Sequence, residues 1–234
     1  AKNTALGADA LHANTTASNN VAVGRSALVT NTTGANNTAV GKDSLALNTT
    51  GTGNVAVGAN ALDANTTSDS NVAVGNDALG LCTGEKNTCI GTNAGDAITT
   101  GDNNLVLGFN ADTNAAHVNN KVIFGDANIA EIQCQVQTIS ALSDERDKTD
   151  IQDCIDGLSL INLLKPRKFT WAMREASDND GKSELGFIAQ ELDTALGDKN
   201  DYIHAVNKEN PDKLLASYGR LFPVLVKAVQ ELST

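Results

Sequence analysis

A glycine-closed pentapeptide returns along the first half of the chain, and its step restricts the fold more than any other feature. NTALG at Asn3 recurs as NVAVG at Asn20, NTAVG at Asn37, and NVAVG at Asn54 and Asn71. It continues as NTCIG at Asn87, NLVLG at Asn104 and KVIFG at Lys121. The step is 17 residues, except for a step of 16 between Asn71 and Asn87. ADAL, RSAL, KDSL, ANAL and NDAL follow the glycines, and NTT closes several units. A short fixed period is the signature of stacked coils. Within each unit the alternation sets a small residue inward between two outward ones, as a short strand does. The glycine then allows a corner with positive φ. Asparagine at one register predicts a ladder that satisfies its amides from coil to coil. At about 4.8 Å per coil the stack makes a rod of roughly 35 Å.

The inward residues are mostly Ala, Val and Leu, so the interior is thin, and association of several chains would compensate. No proline precedes Pro166, so every coil is free to pair its backbone with its neighbours. Asn14-Thr15-Thr16 and Asn31-Thr32-Thr33 match glycosylation acceptors, but they recur because the unit recurs. The N-x-A-V-G … A-L unit, over about Ala1 to Ile132, resembles the head repeats of trimeric autotransporter adhesins and the repeat shafts of phage tail fibres. That resemblance implies a β-roll or β-helix. It leaves open whether the rod is a passive stalk or a receptor-binding surface. The chain opens on Ala1 in mid-pattern, which predicts a longer parent.

Composition excludes several classes. A formal net charge of −11 argues against nucleic-acid binding through a positive field. No apolar run is long enough to span a bilayer, and no signal segment stands at the start. Cys82, Cys89, Cys134 and Cys154 form no C-x-x-C pair and have no histidine close by in sequence, so buried free thiols are expected, with no metal site and no cofactor.

From Ser143 the period vanishes, and all three prolines and the only tryptophan appear. Gln152 to Lys165 sets Ile155, Leu158, Ile161 and Leu164 near one helical face, ended by Pro166. Arg167 to Met173 alternates like a strand, and SDNDG up to Gly181 reads as a turn. Glu184 to Leu192 predicts a strand running into a short helix, and a further strand is expected within Lys213 to Tyr218. In the closing RLFPVLVKAVQELST, Leu221, Leu225, Val229 and Leu232 line one stripe, with Phe222 and Val226 beside it. Pro223 suits a first turn. So narrow a stripe fits packing against copies of itself, the alternative being packing on its own domain.

The order SDERDK, LLKPRKFTW, GFIAQEL, YGRLFPVLVKAVQEL resembles the C-terminal intramolecular chaperone domain of phage tail fibres and tailspikes, also found in endosialidases, neck appendages and the myelin regulatory factor. The resemblance covers Ser143 to Thr234. It implies a domain that drives trimerisation and folding of the β-stranded fibre and then cuts itself off with a serine–lysine dyad. Carried onto this sequence, the dyad is Ser143 and Lys148, and the scissile bond is Leu142–Ser143. It also implies a virion location, in a tail fibre or spike made in the host cytoplasm, with a host-surface glycan or protein as partner.

The chemistry sets conditions. Neutral lysine serves as the base only if its pKa falls, and carboxylates oppose that. Asp144, Glu145, Asp147 and Asp150 crowd Lys148, and Asp147 stands where the family often has an apolar residue. Residues five apart lie on different faces of a helix or strand, so the dyad requires a turn. Arg146 or backbone N–H groups are candidate oxyanion donors, and Glu191 with Gln190 is a candidate support. On spacing alone, Ser143 reads first as a helix cap for Asp144 to Thr149, and the downstream motifs turn the reading to the dyad.

The expected architecture is therefore a trimeric β-solenoid of parallel strands over 1–142, followed over 143–234 by a small α+β chaperone domain ending in a helix. The competing reading is a bacterial surface adhesin whose C-terminal domain is only a trimerisation cap. A membrane-tethered regulator would need a basic DNA-binding domain that these repeats do not supply. No paired carboxylates among the repeats point to polysaccharide cleavage.

Overall fold

The computed structural model describes residues 2–113, 115–126, 128–129, 132, 143–172 and 180–233. The chain divides into two compact units, Ala1–Ile129 and Ala130–Thr234. The expected division at 142/143 falls beside residues outside the described set.

The first unit is a β-solenoid. Eight three-residue strands form one parallel sheet in sequence order: β1 (Thr4–Leu6), β2 (Val21–Val23), β3 (Thr38–Val40), β4 (Val55–Val57), β5 (Val72–Val74), β6 (Thr88–Ile90), β7 (Leu105–Leu107) and β8 (Val122–Phe124). The register follows the repeat, with Ala22 opposite Ala39 and Ala39 opposite Ala56. These central alanines are fully buried, while their strand neighbours face outward. Opposite them Leu28, Leu45, Leu62 and Leu79 fill the interior. Full burial of a leucine contributes about 1.5–3 kcal/mol.

Asparagine joins the coils. Asn54 donates its backbone N–H to Asn37 Oδ1 at 2.9 Å, and its own Oδ1 accepts the Asn71 N–H at 2.9 Å. Its Nδ2 donates to Ser68 O at 2.8 Å. The same pattern runs through Asn20, Asn37, Asn71 and Asn87, and it survives the 16-residue step. A second ladder climbs from Asn31 through Asn48 to Asn65, each amide donating to the previous oxygen at 2.8–2.9 Å. It ends at Cys82, the next rung, and the Asn65 oxygen is left without an amide donor. Because Asn31 is fully buried in this ladder, its glycosylation match is a by-product of the repeat.

The corners hold a feature the periodicity did not announce. Leu11, Leu28, Leu45, Leu62 and Leu79 all adopt φ between 49° and 54°, where a branched side chain is strained. Such strain persists only where the surroundings fix the residue. Here each of the middle three leucines donates its N–H to the next coil, as Leu45 does to Ala61 O at 3.0 Å, while its side chain is sealed in the core. The glycine corner is equally strict. At Gly58, φ is 142° and an added Cβ would lie 2.2 Å from Gly75 O, so only glycine fits.

The second unit has short elements: α1 (Leu158–Ile161), β9 (Arg167–Thr170), β10 (Ser183–Gly186), α2 (Ala189–Leu196), α3 (Asn200–Ile203), β11 (Val206–Asn207), β12 (Leu215–Ala216) and α4 (Phe222–Leu232). β9 and β10 form an antiparallel hairpin, and β11 pairs with β12. Leu160, Leu192, Leu196, Ile203, Val206, Leu221 and Val224 make the core. The expected strand-to-helix run at Glu184 to Leu192 is found as β10 and α2. The strand expected within Lys213 to Tyr218 is β12, and Pro223 sits in the first turn of α4.

Two expectations are corrected. The helix predicted over Gln152 to Lys165 shrinks to α1, and Ile155 is 81% exposed while Leu160, outside the predicted face, is buried. The terminal stripe is divided. Leu221 is buried with Val224 and Ala228 against the domain itself, whereas Phe222, Leu225, Val226, Val229 and Leu232 are exposed. Met173 and Ser177 to Asn179 of the SDND stretch lie outside the described residues.

Asn54→Ala would orphan the buried Asn71 N–H and take from the Ser68 carbonyl the shorter of its two donors, leaving Asn65 Nδ2 at 3.2 Å. The orphaned N–H costs about 1–3 kcal/mol, read as a lower denaturation midpoint of the solenoid transition.

Candidate functional site

Ser143 to Lys148 form a self-contained turn. Asp144 is extended (φ −70°, ψ 137°) and opens a single 3₁₀ turn over Glu145–Asp147. The turn closes with Asp147 N–H on Asp144 O at 3.2 Å and Lys148 N–H on Glu145 O at 3.1 Å. Lys148 leaves it extended, and its side chain folds back over five residues. Its Nζ lies 2.7 Å from Ser143 Oγ and 3.3 Å from Ser143 O. The turn that the spacing demanded is present, and both side chains are exposed in the single chain. Leu142, the other side of the expected scissile bond, lies outside the described residues.

The capping residue is Asp144, not Ser143. One Asp144 oxygen accepts the Arg146 N–H at 2.9 Å. The Arg146 guanidinium closes on the same carboxylate with contacts of 3.0 and 2.6 Å. That fork holds the Asp144 carboxyl below the usual carboxylate range and raises the guanidinium's value. Among the described residues Lys148 forms no ion pair with the neighbouring acids. Arg146 is engaged by Asp144, and Glu191 by Arg167 through contacts of 2.9 and 2.6 Å. The structure therefore gathers Ser143 and Lys148, and it brings neither Arg146 nor Glu191 onto the serine.

Sequence reasoning passed over three ties that hold the rest of the unit. Asp156, 5% exposed, receives hydrogen bonds from Lys199 Nζ at 2.5 Å and from the Tyr202 hydroxyl. Lys199 is the larger cause that keeps the Asp156 carboxyl below its ordinary range, with Tyr202 second. The Glu231 carboxylate of α4 accepts the Leu158 N–H at 2.7 Å and so caps α1, which has no cap of its own. A Cβ at Gly157 would lie 2.5 Å from that carboxylate, so a larger residue at 157 would displace the Glu231 side chain from its cap. Tyr218 accepts the Phe187 N–H at 3.0 Å and donates to Phe187 O at 3.2 Å, joining GFIAQEL to the start of the terminal helix. Each tie spans more than 30 residues, which is why no local pattern announced it.

With this geometry set out, the comparison with protein families becomes specific. Residues 143–200 match the family described as chaperone of endosialidase, within peptidase family S74. Over those residues the chain is similar to an endosialidase-type chaperone domain, and the span follows the β-solenoid in sequence. The matched span opens on Ser143 and takes in Lys148, Asp156 and the Lys199 that binds it. No curated protein matches the chain. Among the described residues no cluster of His, Cys, Asp and Glu is built to hold a metal, and no helix is long and apolar enough to cross a membrane. Cys82 and Cys89 are free and buried in the solenoid, and burial pushes the Cys89 thiol up to about 12. Cys154 is free but exposed, against the expectation of burial, and Cys134 lies outside the described residues.

Asp156 supplies a pH test. A carboxyl held below its unfolded value of about 3.8 stabilises the fold above that pH, and this is lost as pH falls through the depressed folded value. Acid titration of the second unit should therefore lower its melting temperature below about pH 4. Asp156→Asn should melt several degrees lower at neutral pH and show a flatter acid limb.

Proposed function

We propose that the second unit is an intramolecular chaperone that assembles three copies of the solenoid into a virion fibre and then releases itself by cutting Leu142–Ser143. The observation that carries this reading is the 2.7 Å approach of Lys148 Nζ to Ser143 Oγ within the family-matched span. Contact at that distance is what a hydroxyl nucleophile and its base require.

The reaction needs no added reagent except water. Lys148 in its neutral form takes the proton from Ser143 Oγ, which attacks the Leu142 carbonyl carbon. The Leu142–Ser143 C–N bond breaks, an ester to Oγ forms, and the lysine returns the proton to the leaving Ser143 nitrogen. Water then opens the ester, leaving a carboxylate on Leu142 and the hydroxyl on Ser143. Completion within minutes calls for a barrier of roughly 20 kcal/mol, a modest demand for a reaction that happens once per chain. Covering the site on assembly would favour the neutral lysine that the step requires.

Two apolar faces support the trimer. Along the solenoid the outward strand residues form two rows, Val21, Thr38, Val55 and Val72 in one and Val23, Val40, Val57 and Val74 in the other. At the far end the exposed residues become larger, with Val122, Phe124 and Phe109 more than half exposed. On α4 the exposed Phe222, Leu225, Val229 and Leu232 recur every three or four residues, the spacing of a helix seam. Three chains meeting along these faces would bury both. The released fibre would serve host attachment through a surface glycan or protein.

The test compares the 234-residue chain with Ser143→Ala and Lys148→Ala by intact mass and by size in solution. The expected result is cleavage at Leu142–Ser143 in the parent, with both variants whole and trimeric. Loss of the base should slow cleavage by about 10²–10⁴-fold. A parent chain that trimerises and stays whole would leave the domain as a trimerisation cap, the adhesin-type reading.

A further inference from the structure

The geometry points to Asp144 as the positioning residue of the self-cleavage centre: its carboxylate builds the turn that delivers Lys148 to Ser143. The inference rests on the reading of Ser143 and Lys148 as the reacting pair, and it assigns a role to a side chain that touches neither of them.

The argument starts from how little else holds the turn. Three residues in a 3₁₀ turn make a weak element, because such turns have poor hydrogen-bond geometry and no cooperative length. None of Glu145, Arg146 and Asp147 is buried, so no packing fixes them. The turn's own backbone contributes two hydrogen bonds at 3.1 and 3.2 Å, at the long end of the range. Without more, the segment would open, and Ser143 and Lys148 would return to different sides of an extended chain.

Asp144 supplies the missing restraint. Its carboxylate makes three hydrogen bonds to one residue, the Arg146 backbone N–H and two guanidinium nitrogens. The first fixes the start of the turn as an N-cap does. The other two form the planar fork that suits a carboxylate, and charge-assisted bonds of this kind are the stronger ones. An exposed ion pair alone is worth little. Here the backbone bond and the fork share one carboxylate, so the fork holds the acceptor where the cap needs it.

The same contacts answer an electrostatic problem. Asp144 is the acid next to Ser143 in sequence, and a free carboxylate there would favour the charged lysine. Engaged by Arg146, it faces a positive group, and Lys148 is left with the serine. Arg146 on this account is the partner of Asp144 rather than an oxyanion donor. Misplacement of a base by about 1 Å costs on the order of 10²-fold in rate.

The test uses the full chain with Asp144→Ala, Asp144→Asn and Arg146→Ala, beside Ser143→Ala. Trimer formation is read by size and cleavage by intact mass over time. Asp144→Ala should trimerise normally and cleave about 10–100-fold more slowly. Asp144→Asn keeps an oxygen for the Arg146 N–H and should recover to within a few-fold of the parent. Arg146→Ala keeps the cap and should lose less than Asp144→Ala. If Arg146→Ala is as inert as Ser143→Ala while Asp144→Ala cleaves normally, Arg146 acts on the reacting atoms and the inference is overturned. A second readout does not depend on cleavage. The Lys148 ammonium NMR resonance should differ between the parent and Ser143→Ala, because the hydroxyl binds it. In an Asp144→Ala background that difference should vanish, and its persistence would rule out positioning by Asp144. A parent chain that shows the difference yet never cleaves would keep the positioning role and sink the self-cleavage reading instead.

Discussion

The hydrogen bond from one asparagine to the backbone of the next coil is the constraint on which the solenoid depends. A three-residue strand is too short to be stable alone, and a coil with Ala and Leu inside has little apolar area to bury. The asparagine that precedes each strand from β2 to β7 links three partners across two coils, as Asn54 does with Asn37, Ser68 and Asn71. It satisfies backbone groups at a corner, where a strand ladder cannot reach. Once those corners are fixed, the strained leucines become tolerable, because both the backbone bond and the buried side chain hold each of them. The 16-residue step shows the order of importance. The chain drops one residue from its outer loop there, yet Asn71 still reaches Gly84 O and Asn87 N.

The second unit is built on the opposite principle. Its elements are short, and α1 and α3 have four residues each. Stability comes from contacts between segments far apart in sequence: Asp156 with Lys199 and Tyr202, Leu158 with Glu231, and Phe187 with Tyr218. These ties fix both ends of the segment that follows Lys148. The Ser143–Lys148 turn is left on the surface, held by its own side chains. A unit arranged in this way is able to fold without the turn and keep the turn accessible to whatever covers it.

How much of this was legible follows the same division. Repeats display their geometry many times over, so the strand positions, the buried alanines, the glycine corners and the asparagine ladder could all be read from spacing. The leucine conformation could not, since inward placement says nothing about the sign of φ. In the second unit the Ser143–Lys148 approach was legible as a requirement, because five-residue spacing demands a turn. Its means of support was not, since Asp144 and Arg146 read equally well as solvated charges. The predicted helix over Gln152 to Lys165 failed because Asp156 is drawn 43 residues along the chain to Lys199, and the Glu231 carboxylate caps a helix that begins only at Leu158. Long-range contacts overrode a valid local period, and Leu160 took the buried place that the period assigned to others.

The two principles complement each other in assembly. A stack whose bonds all run from one coil to the next propagates readily once started, but its first coil has no neighbour to supply asparagine contacts. On the proposed reading its outward valine rows add a further demand, because several chains would have to meet in one register to bury them. Nucleation, not final stability, is then the slow step, since non-local pairing costs loop-closure entropy before it returns any contact. On the proposed reading, a compact unit with its own core meets that demand by holding three chains together at high local concentration. On the same reading, cleavage afterwards would remove the device that made nucleation easy, and with it the easy path back. A rod that is slow to nucleate is then also slow to unfold, and its persistence rests on a kinetic barrier rather than on a deep core.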